Sequence, residues 1–456
     1  MIFDNFIRAC EEEDTVSISH FLCVSSNGIL EQYCKSPYKI DSLKLFFSMT
    51  KSFASLAIGI AVDKQMLSLD DFIYTYFPES LPPNPHQNLF KIKIRHLLTM
   101  SCGIHDNTYN ELLIQHNWIE AFLKQEFPHE PGTFYRYSTH SSHMLSAIIT
   151  KVSGLSLKDF LDIHLFYPMN IYEAQWEHSP EGLIAGGMGL SLYPISLAKV
   201  AQMLLNEGNY QGEQLISKAY LQQASSSNIV KQNDSMDENN TYCGWEYGFQ
   251  FHIGKDGFYR ADGAFGQLCL ICPKKKLAFI AFSQSSKMEV LLKLIYQYFL
   301  DCKTDLYLSR RTSNIEKLIP TETTEDNIPP SIPCKKYRME ENILNIKYVE
   351  LSSHTDCHFY TLKLTKDNTR EDSIQFSLSS NTQGTTYFIK DLEEHQQEYI
   401  CYASFSDLLE LTIYFIETPY VVKYYISFNN ETITLDFKIN VSFTLHNTSI
   451  NGHLLN

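Results

Sequence analysis

Leu45-Phe46-Phe47-Ser48-Met49-Thr50-Lys51-Ser52-Phe53-Ala54-Ser55-Leu56-Ala57-Ile58-Gly59-Ile60-Ala61-Val62 sets a serine three residues ahead of a lysine, at the mouth of an almost continuous apolar run. On a helix, positions i and i+3 share a face, so the lysine amine can lie beside the serine hydroxyl. A neutral amine there can take the hydroxyl proton and leave an acylating nucleophile. Lysine ordinarily titrates near 10.4, so that role requires burial or a nearby cation, and the surrounding run of Leu, Ile, Phe and Ala predicts a helix at the centre of a domain. S-x-x-K by itself equally fits Ser48 as a helix cap and Lys51 as a solvated charge. The rest of the chain must decide between the two.

With 456 residues the chain is long enough for two or three domains. A formal charge of −15 repels phosphate backbones and anionic membrane surfaces. No basic stripe interleaved with aromatics offsets it, so neither nucleic acid nor membrane is expected as a partner. No window approaches the roughly 18 consecutive apolar residues of a membrane span, and the charged start Met1-Ile2-Phe3-Asp4-Asn5-Phe6-Ile7-Arg8 does not resemble an export signal. Eleven scattered cysteines fit a reducing compartment better than a disulfide framework, so the expected location is the cytoplasm. Cys269-Leu270-Ile271-Cys272 sits in an apolar run that reads as a strand, where the two thiols face opposite sides. The histidines lack acidic or cysteine partners at zinc-ligand spacing, so no metal and no cofactor is expected.

A helix at Phe3–Cys10 is followed by apolar stretches at Val16–Val24 and Ile29–Cys34, joined by the hairpin turn Ser25-Ser26-Asn27-Gly28. Residues 48–226 then read mainly helical, interrupted by Leu81-Pro82-Pro83-Asn84-Pro85 and Glu130-Pro131-Gly132. Strand character returns at Tyr247–His252, Gly257–Arg260, Gln267–Ile271 and Leu277–Phe282, and a helix over Lys287–Leu300 closes the unit. Strands at both ends of a helical middle predict an α+β domain over residues 1–308: one antiparallel sheet flanked by helices, with a helical insertion and a cleft between the two. Residues 309–333, with Pro320, Pro329 and Pro330 among acids, read as a linker. Residues 334–456, rich in short alternating β-branched and aromatic runs such as Leu409–Phe415 and Thr432–Ile439, predict an all-β barrel or sandwich. That second domain shows no acid–base constellation, and a packing or substrate-gating role is expected of it.

Four further landmarks decide the meaning of Ser48. They are Ile94-Arg95-His96-Leu97-Leu98-Thr99-Met100-Ser101-Cys102-Gly103, Glu130-Pro131-Gly132-Thr133-Phe134-Tyr135-Arg136-Tyr137-Ser138-Thr139, Gly186-Gly187-Met188-Gly189-Leu190-Ser191-Leu192 with Leu197-Ala198-Lys199, and Gly263-Ala264-Phe265-Gly266-Gln267. In this order, and over roughly residues 15–300, they resemble the class C β-lactamase-like serine hydrolases, a superfamily that includes penicillin-binding proteins, esterases and D-amino acid peptidases. The C-terminal segment around Tyr414–Tyr420 and Asn440–Phe443 resembles a tail domain found on some cytosolic members.

Carried over, the resemblance implies Ser48 as nucleophile, Lys51 as the amine beside it, and Tyr137 as the phenol or phenolate that passes the proton. A nearby ammonium would depress that phenol, so the pair can share one proton. The resemblance also implies an oxyanion hole made by the backbone N–H groups of Ser48 and Ala264, each such donor being worth about 3 to 4 kcal/mol. Two departures bear on substrate. The family's K-T-G or H-x-G triad falls on Ala261-Asp262-Gly263, replacing a cation that holds a substrate carboxylate with an alanine and an acid. Arg260 is expected to point away if Ala261 faces the cleft. The second departure is Thr139 in place of the asparagine of Y-S-N, which removes an amide that can bond a substrate acylamino group.

Thr139, Asp262 and Gly263 are therefore the expected substrate-binding positions, and a neutral or cationic small-molecule ester or amide is the expected substrate. The competing reading is a catalytically silent binding module that keeps the fold, favoured by Ala261 and Asp262. A scaffold acting through its β domain ranks below both. His105-Asp106 reads as a loop anchor with an Asx-type turn, or as a proton relay at the cleft. The oligomeric state is not legible.

Overall fold

The computed structural model describes residues 2–231, 242–301, 311–312, 332–354, 359–366 and 371–455. The stretch expected as a linker, 309–333, lies outside the described residues except at 311–312 and 332–333. The chain forms two compact units: Met1–Cys34 with Leu43–Asn314, and Lys35–Ser42 with Ile315–Asn456. Among the described residues, no helix is long and apolar enough to cross a membrane.

The first unit is built on a nine-stranded sheet. Its middle pairs β1 (Ile18–Ser25), β2 (Gly28–Cys34), β3 (His252–Ile253), β4 (Tyr259–Gly263), β5 (Gln267–Cys272) and β6 (Leu277–Ser283) in the order β2-β1-β6-β5-β4-β3. All of these neighbours are antiparallel, so strands from both ends of the unit do share one sheet. The expected hairpin turn is present, with Gly28 at φ 127, a conformation that a side chain would resist. Alternation along the strands feeds two cores. Leu22, Val24, Cys269, Ile271 and Ile280 face one; Phe21, Cys23, Leu270, Cys272 and Phe279 face the other.

Helix α1 (Ile2–Glu11) covers the second core, because Phe3, Phe6, Ile7 and Cys10 recur on one face; Phe6 packs 4.4 Å from Phe21, ring centre to ring centre. Helix α2 (Thr50–Asp63) lies in the other core and is buried on every side from Thr50 to Ala61. Its buried polar side chains are bonded internally, Lys51 to the Gly187 carbonyl, Ser52 to the Gln250 carbonyl and Ser55 with Tyr220, so the helix needs no solvent face, and truncating Ile58 to Ala there should cost about 2 to 5 kcal/mol. Helix α3 (Thr139–Ser153) packs beside it. Its first turn is capped by Ser138 Oγ, which accepts from Ser141 N at 3.2 Å, and it ends at Gly154 in the left-handed conformation.

One expected strand is absent: Tyr247–His252 is broken into Glu246–Tyr247 and His252–Ile253. Between them Gln250 adopts φ 60 and its side chain is turned inward, donating through Nε2 to the carbonyls of Leu97 and Leu98, each at 2.9 Å. Ser142 Oγ donates to Gln250 Oε1 at 2.7 Å. A buried amide satisfied from two helices outweighs the local strand propensity.

The second unit is a nearly closed ten-stranded antiparallel barrel. Its strands are β7 (Lys336–Met339), β8 (Ile346–Ser353), β9 (Phe359–Lys366), β10 (Glu371–Ser377), β11 (Thr382–Ile389), β12 (Glu394–Phe405), β13 (Leu409–Phe415), β14 (Val421–Asn429), β15 (Thr432–Ile439) and β16 (Thr448–Leu454). Their order is β10-β9-β8-β7-β16-β15-β14-β13-β12-β11. The alternating sequence runs put Leu409, Leu411, Ile413 and Phe415 inside, and closure shields the backbone groups that an open sheet would leave unpaired.

Candidate active site

Ser48 sits in a 3-10 turn, Phe47–Met49, immediately before α2, and is partly exposed. Lys51, one turn further on, is 2 % exposed. Its Nζ donates to Ser48 Oγ at 3.0 Å and to the carbonyl oxygen of Gly187 at 2.7 Å. The same Nζ lies 5.0 Å from the centre of the Tyr137 ring, and the Tyr137 phenol and the Ser48 hydroxyl line one cavity, close enough for Ser48 to favour the phenolate. The hydroxyl, amine and phenol singled out from the sequence therefore meet, although they come from separate segments.

Tyr137 differs from expectation in its charge. Burial pushes the phenol well above its ordinary value, and the nearby Ser48 hydroxyl only partly opposes this, so it is a neutral O–H donor near neutral pH. The expected depression by a neighbouring ammonium does not dominate.

Strand β4 closes the site. A Cβ on Gly263 would stand 2.1 Å from the Phe46 carbonyl oxygen, so only glycine allows this strand to approach the nucleophile turn so closely. Ala264 follows and, with Ser48, Tyr137, His252, Asp262 and Phe265, lines a cavity of about 380 Å³. The residues next to the two amides expected as the oxyanion hole are both left-handed, Phe47 at φ 48 and Phe265 at φ 61, and their rings meet edge to face at 5.4 Å. Non-glycine residues in that region carry a local strain that the surrounding packing must offset.

Asp262 lines this cavity, whereas Ala261 is buried in the core. Arg260, two residues from Asp262, therefore lies on the same side as the acid, which corrects the expectation that it points away from the cleft. Arg260 Nε donates to Asp262 Oδ2 at 2.9 Å, and His252 Nε2 lies 3.1 Å from Oδ1. Lys231 Nζ donates to His252 Nδ1 at 2.9 Å, which fixes the imidazole as the tautomer that donates to Asp262. Burial alone would raise Asp262, but His252, Arg260 and Lys231 outweigh it and hold the carboxyl well below the usual carboxylate range. Burial, aided by Lys231 and Arg260, pulls His252 down to about 4, and Lys231 itself falls to about 8. The acid is a paired charge, not the free repelling anion anticipated from its position.

Thr139 opens α3 and is buried, with its methyl and carbonyl directly beneath Gly187; it is not among the residues lining the cavity. His105 is an exposed anchor: its Nδ1 is 2.8 Å from His129 Nε2 and its ring stacks on Phe134 at 5.6 Å, so it takes no place at the cavity. His252, Lys231 and Gln250 were not found from the sequence. The alternation Arg260-x-Asp262 was a readable signal for one ion pair, but the partners from other strands required the fold.

A helix-entry serine beside a buried lysine and a tyrosine, in a unit built on an antiparallel sheet, is the arrangement that the sequence resemblance implied. The Beta-lactamase family model matches residues 21–298, and the chain belongs to that family. Penicillin-binding protein 4* of Bacillus subtilis is 27% identical over 160 residues, which cover 33% of this chain and 34% of that protein. The chain thus matches about a third of the length of this curated relative. Among solved structures, the octameric penicillin-binding protein homologue from Pyrococcus abyssi aligns over 90% of this chain and 97% of its own, with TM-score 0.52 and 16% identity. EstCE1, a hydrolase with promiscuous acyltransferase activity, aligns over 65% of this chain and 97% of its own, with TM-score 0.52 and 16% identity.

Proposed function

We propose that this chain is a cofactor-independent serine hydrolase that cleaves small neutral esters or amides through an acyl-enzyme. The observation that carries this reading is that Ser48 and Tyr137 line one cavity while the buried Lys51 Nζ donates to Ser48 Oγ at 3.0 Å and lies 5.0 Å from the centre of the Tyr137 ring. Ser48 Oγ attacks the substrate carbonyl while its proton passes to Lys51 Nζ in the neutral amine form; the carbonyl oxygen becomes an oxyanion facing the Ser48 and Ala264 amides. The bond to the leaving group then breaks, the leaving atom takes the Tyr137 proton, and Lys51 returns a proton to Tyr137. Water attacks the acyl-serine by the same relay in reverse and releases the acid.

The substrate preference follows from β4. Ala261 supplies no cation for a carboxylate, and both oxygens of Asp262 are already engaged, so neither charge on a substrate finds an unmatched partner. This favours a neutral acyl group within the neutral-or-cationic range that the sequence suggested. The described cysteines are free thiols, which supports a reducing, cytoplasmic setting.

A fluorophosphonate probe tests the chemistry: labelling should occur and vanish in Ser48→Ala. A folded protein that never labels would favour the silent binding module, the reading motivated by Ala261 and Asp262. A panel of p-nitrophenyl esters, D-amino acid amides and nitrocefin tests the substrate, and efficient nitrocefin turnover without esterase activity would overturn the assignment.

A further inference from the structure

The barrel of the second unit encloses a cavity unrelated to serine chemistry. Strands β10 and β11 are the two ends of the sheet, and side chains close the seam between them at one level. Thr382 Oγ1 donates to the Gln375 carbonyl at 2.6 Å, and Gln375 N donates to Tyr399 Oη at 2.7 Å. Towards the other end of the seam, near Asp372 and Ile389, lies a cavity of about 220 Å³. Its walls are chiefly apolar and include Leu364, Ile374, Ile413, Phe415, Val422 and Phe437. Apolar interiors at barrel mouths are preferred small-molecule sites.

Two polar features define what fits. Thr386 lines the cavity, is 5 % exposed, and its Oγ1 has no hydrogen-bond partner among the described residues. A buried hydroxyl without a partner is costly, and a ligand hydroxyl would satisfy it. At the rim, Lys366 Nζ pairs with both Asp372 Oδ2 at 3.2 Å and Glu394 Oε1 at 3.0 Å. An anionic head group entering there would meet two carboxylates whose shared cation is already engaged.

We infer that the barrel cavity binds a neutral amphiphile, an alkyl chain bearing a hydroxyl head, with the hydroxyl on Thr386 and the chain among the apolar walls. A cavity of about 150 Å³ accommodates benzene, so this one suits a chain of about eight carbons.

The test is calorimetric titration of the full chain with 1-octanol, octanoate and octylamine. 1-Octanol should bind with one-to-one stoichiometry, and octanoate at least about tenfold more weakly. Thr386→Val, close to isosteric, should weaken 1-octanol about tenfold, leave toluene binding unchanged, and raise the melting temperature of the free protein by removing the orphaned hydroxyl. Val422→Phe should fill the cavity and abolish binding of both. Absence of 1-octanol binding to the folded wild type, tighter binding of octanoate or octylamine, or 1-octanol affinity unchanged by Thr386→Val would overturn the assignment. The Thr386→Val result decides the matter even if Val422→Phe fails to fold.

Discussion

Arg260 and Asp262 stand on the same face of one strand and are joined Nε to Oδ2 at 2.9 Å, so the acid that occupies a substrate-binding position carries its own counter-ion. The Arg260 side chain is only 5% exposed. Asp262→Asn should therefore leave a buried cation short of its partner and lower stability by about 3 kcal/mol, read from urea unfolding. The same variant should shift hydrolysis towards carboxylate-bearing esters about tenfold relative to neutral ones, because the guanidinium is released towards the cavity. An unchanged ratio would remove Asp262 from the specificity argument.

Stability should fall with acid through His252. Unfolded, its imidazole titrates at an ordinary 6.5; folded, it does so at about 4. Between those values the unfolded chain holds a proton that the folded chain refuses, so this contribution is complete above about pH 6.5 and declines as pH drops towards 4, by at most about 3 kcal/mol. Asp262, whose folded value is depressed, adds a loss in the same direction at lower pH. Urea midpoints between pH 7 and 4.5 should decline less steeply in His252→Gln than in the wild type.

Lys51→Met should reduce kcat/KM for p-nitrophenyl esters by about 10³-fold or more while the protein still unfolds cooperatively. Tyr137→Phe should cost less, about 10²-fold, when the leaving group is a nitrophenolate that departs without a proton. The Tyr137 deficit should grow with poorer leaving groups, and a deficit independent of leaving group would argue against proton donation by the phenol.

Gly263→Ala places a methyl 2.1 Å from the Phe46 carbonyl oxygen. Backbone cannot yield as a flexible side chain does, so β4 should move away from Ser48, with a loss of about 1 to 3 kcal/mol and of most esterase activity. Retained activity in this variant would show that the approach of the two segments is not needed.

Gln250→Leu should orphan the Ser142 hydroxyl, while the Leu97 and Leu98 carbonyls lose a side-chain donor but keep the backbone N–H groups of Met100 and Gln250, at a cost of about 1 to 2 kcal/mol in equilibrium unfolding.

The local signals were readable because they repeat a simple period. The apolar face of α1, the Asn27-Gly28 hairpin and the alternating runs of β13 and β15 each announce their element within a few residues. Ser48 and Lys51 stood out by their S-x-x-K spacing and Tyr137 only through the resemblance of its segment to a family motif, and the fold brings the three side chains close to one another. What stayed hidden was every feature decided by a distant partner. Tyr247–His252 has strand composition, yet Gln250 bends it to reach Leu97 and Leu98. Ala261 and Asp262 could not be assigned to core or cavity until β5 fixed the register, and Lys231 bonds His252 from a segment 21 residues earlier in the chain.

The assignment of Lys35–Ser42 to the barrel unit means that the polypeptide passes between its two bodies three times. Tyr38 packs against Tyr414 at 5.9 Å, and Lys39 Nζ reaches Gln383 Oε1 at 3.3 Å. During synthesis this short excursion leaves the ribosome well before the strands that receive it. A truncated product ending ahead of β7 would carry it as an unsupported flap, so a clean excision of either body must account for an eight-residue loan from the other.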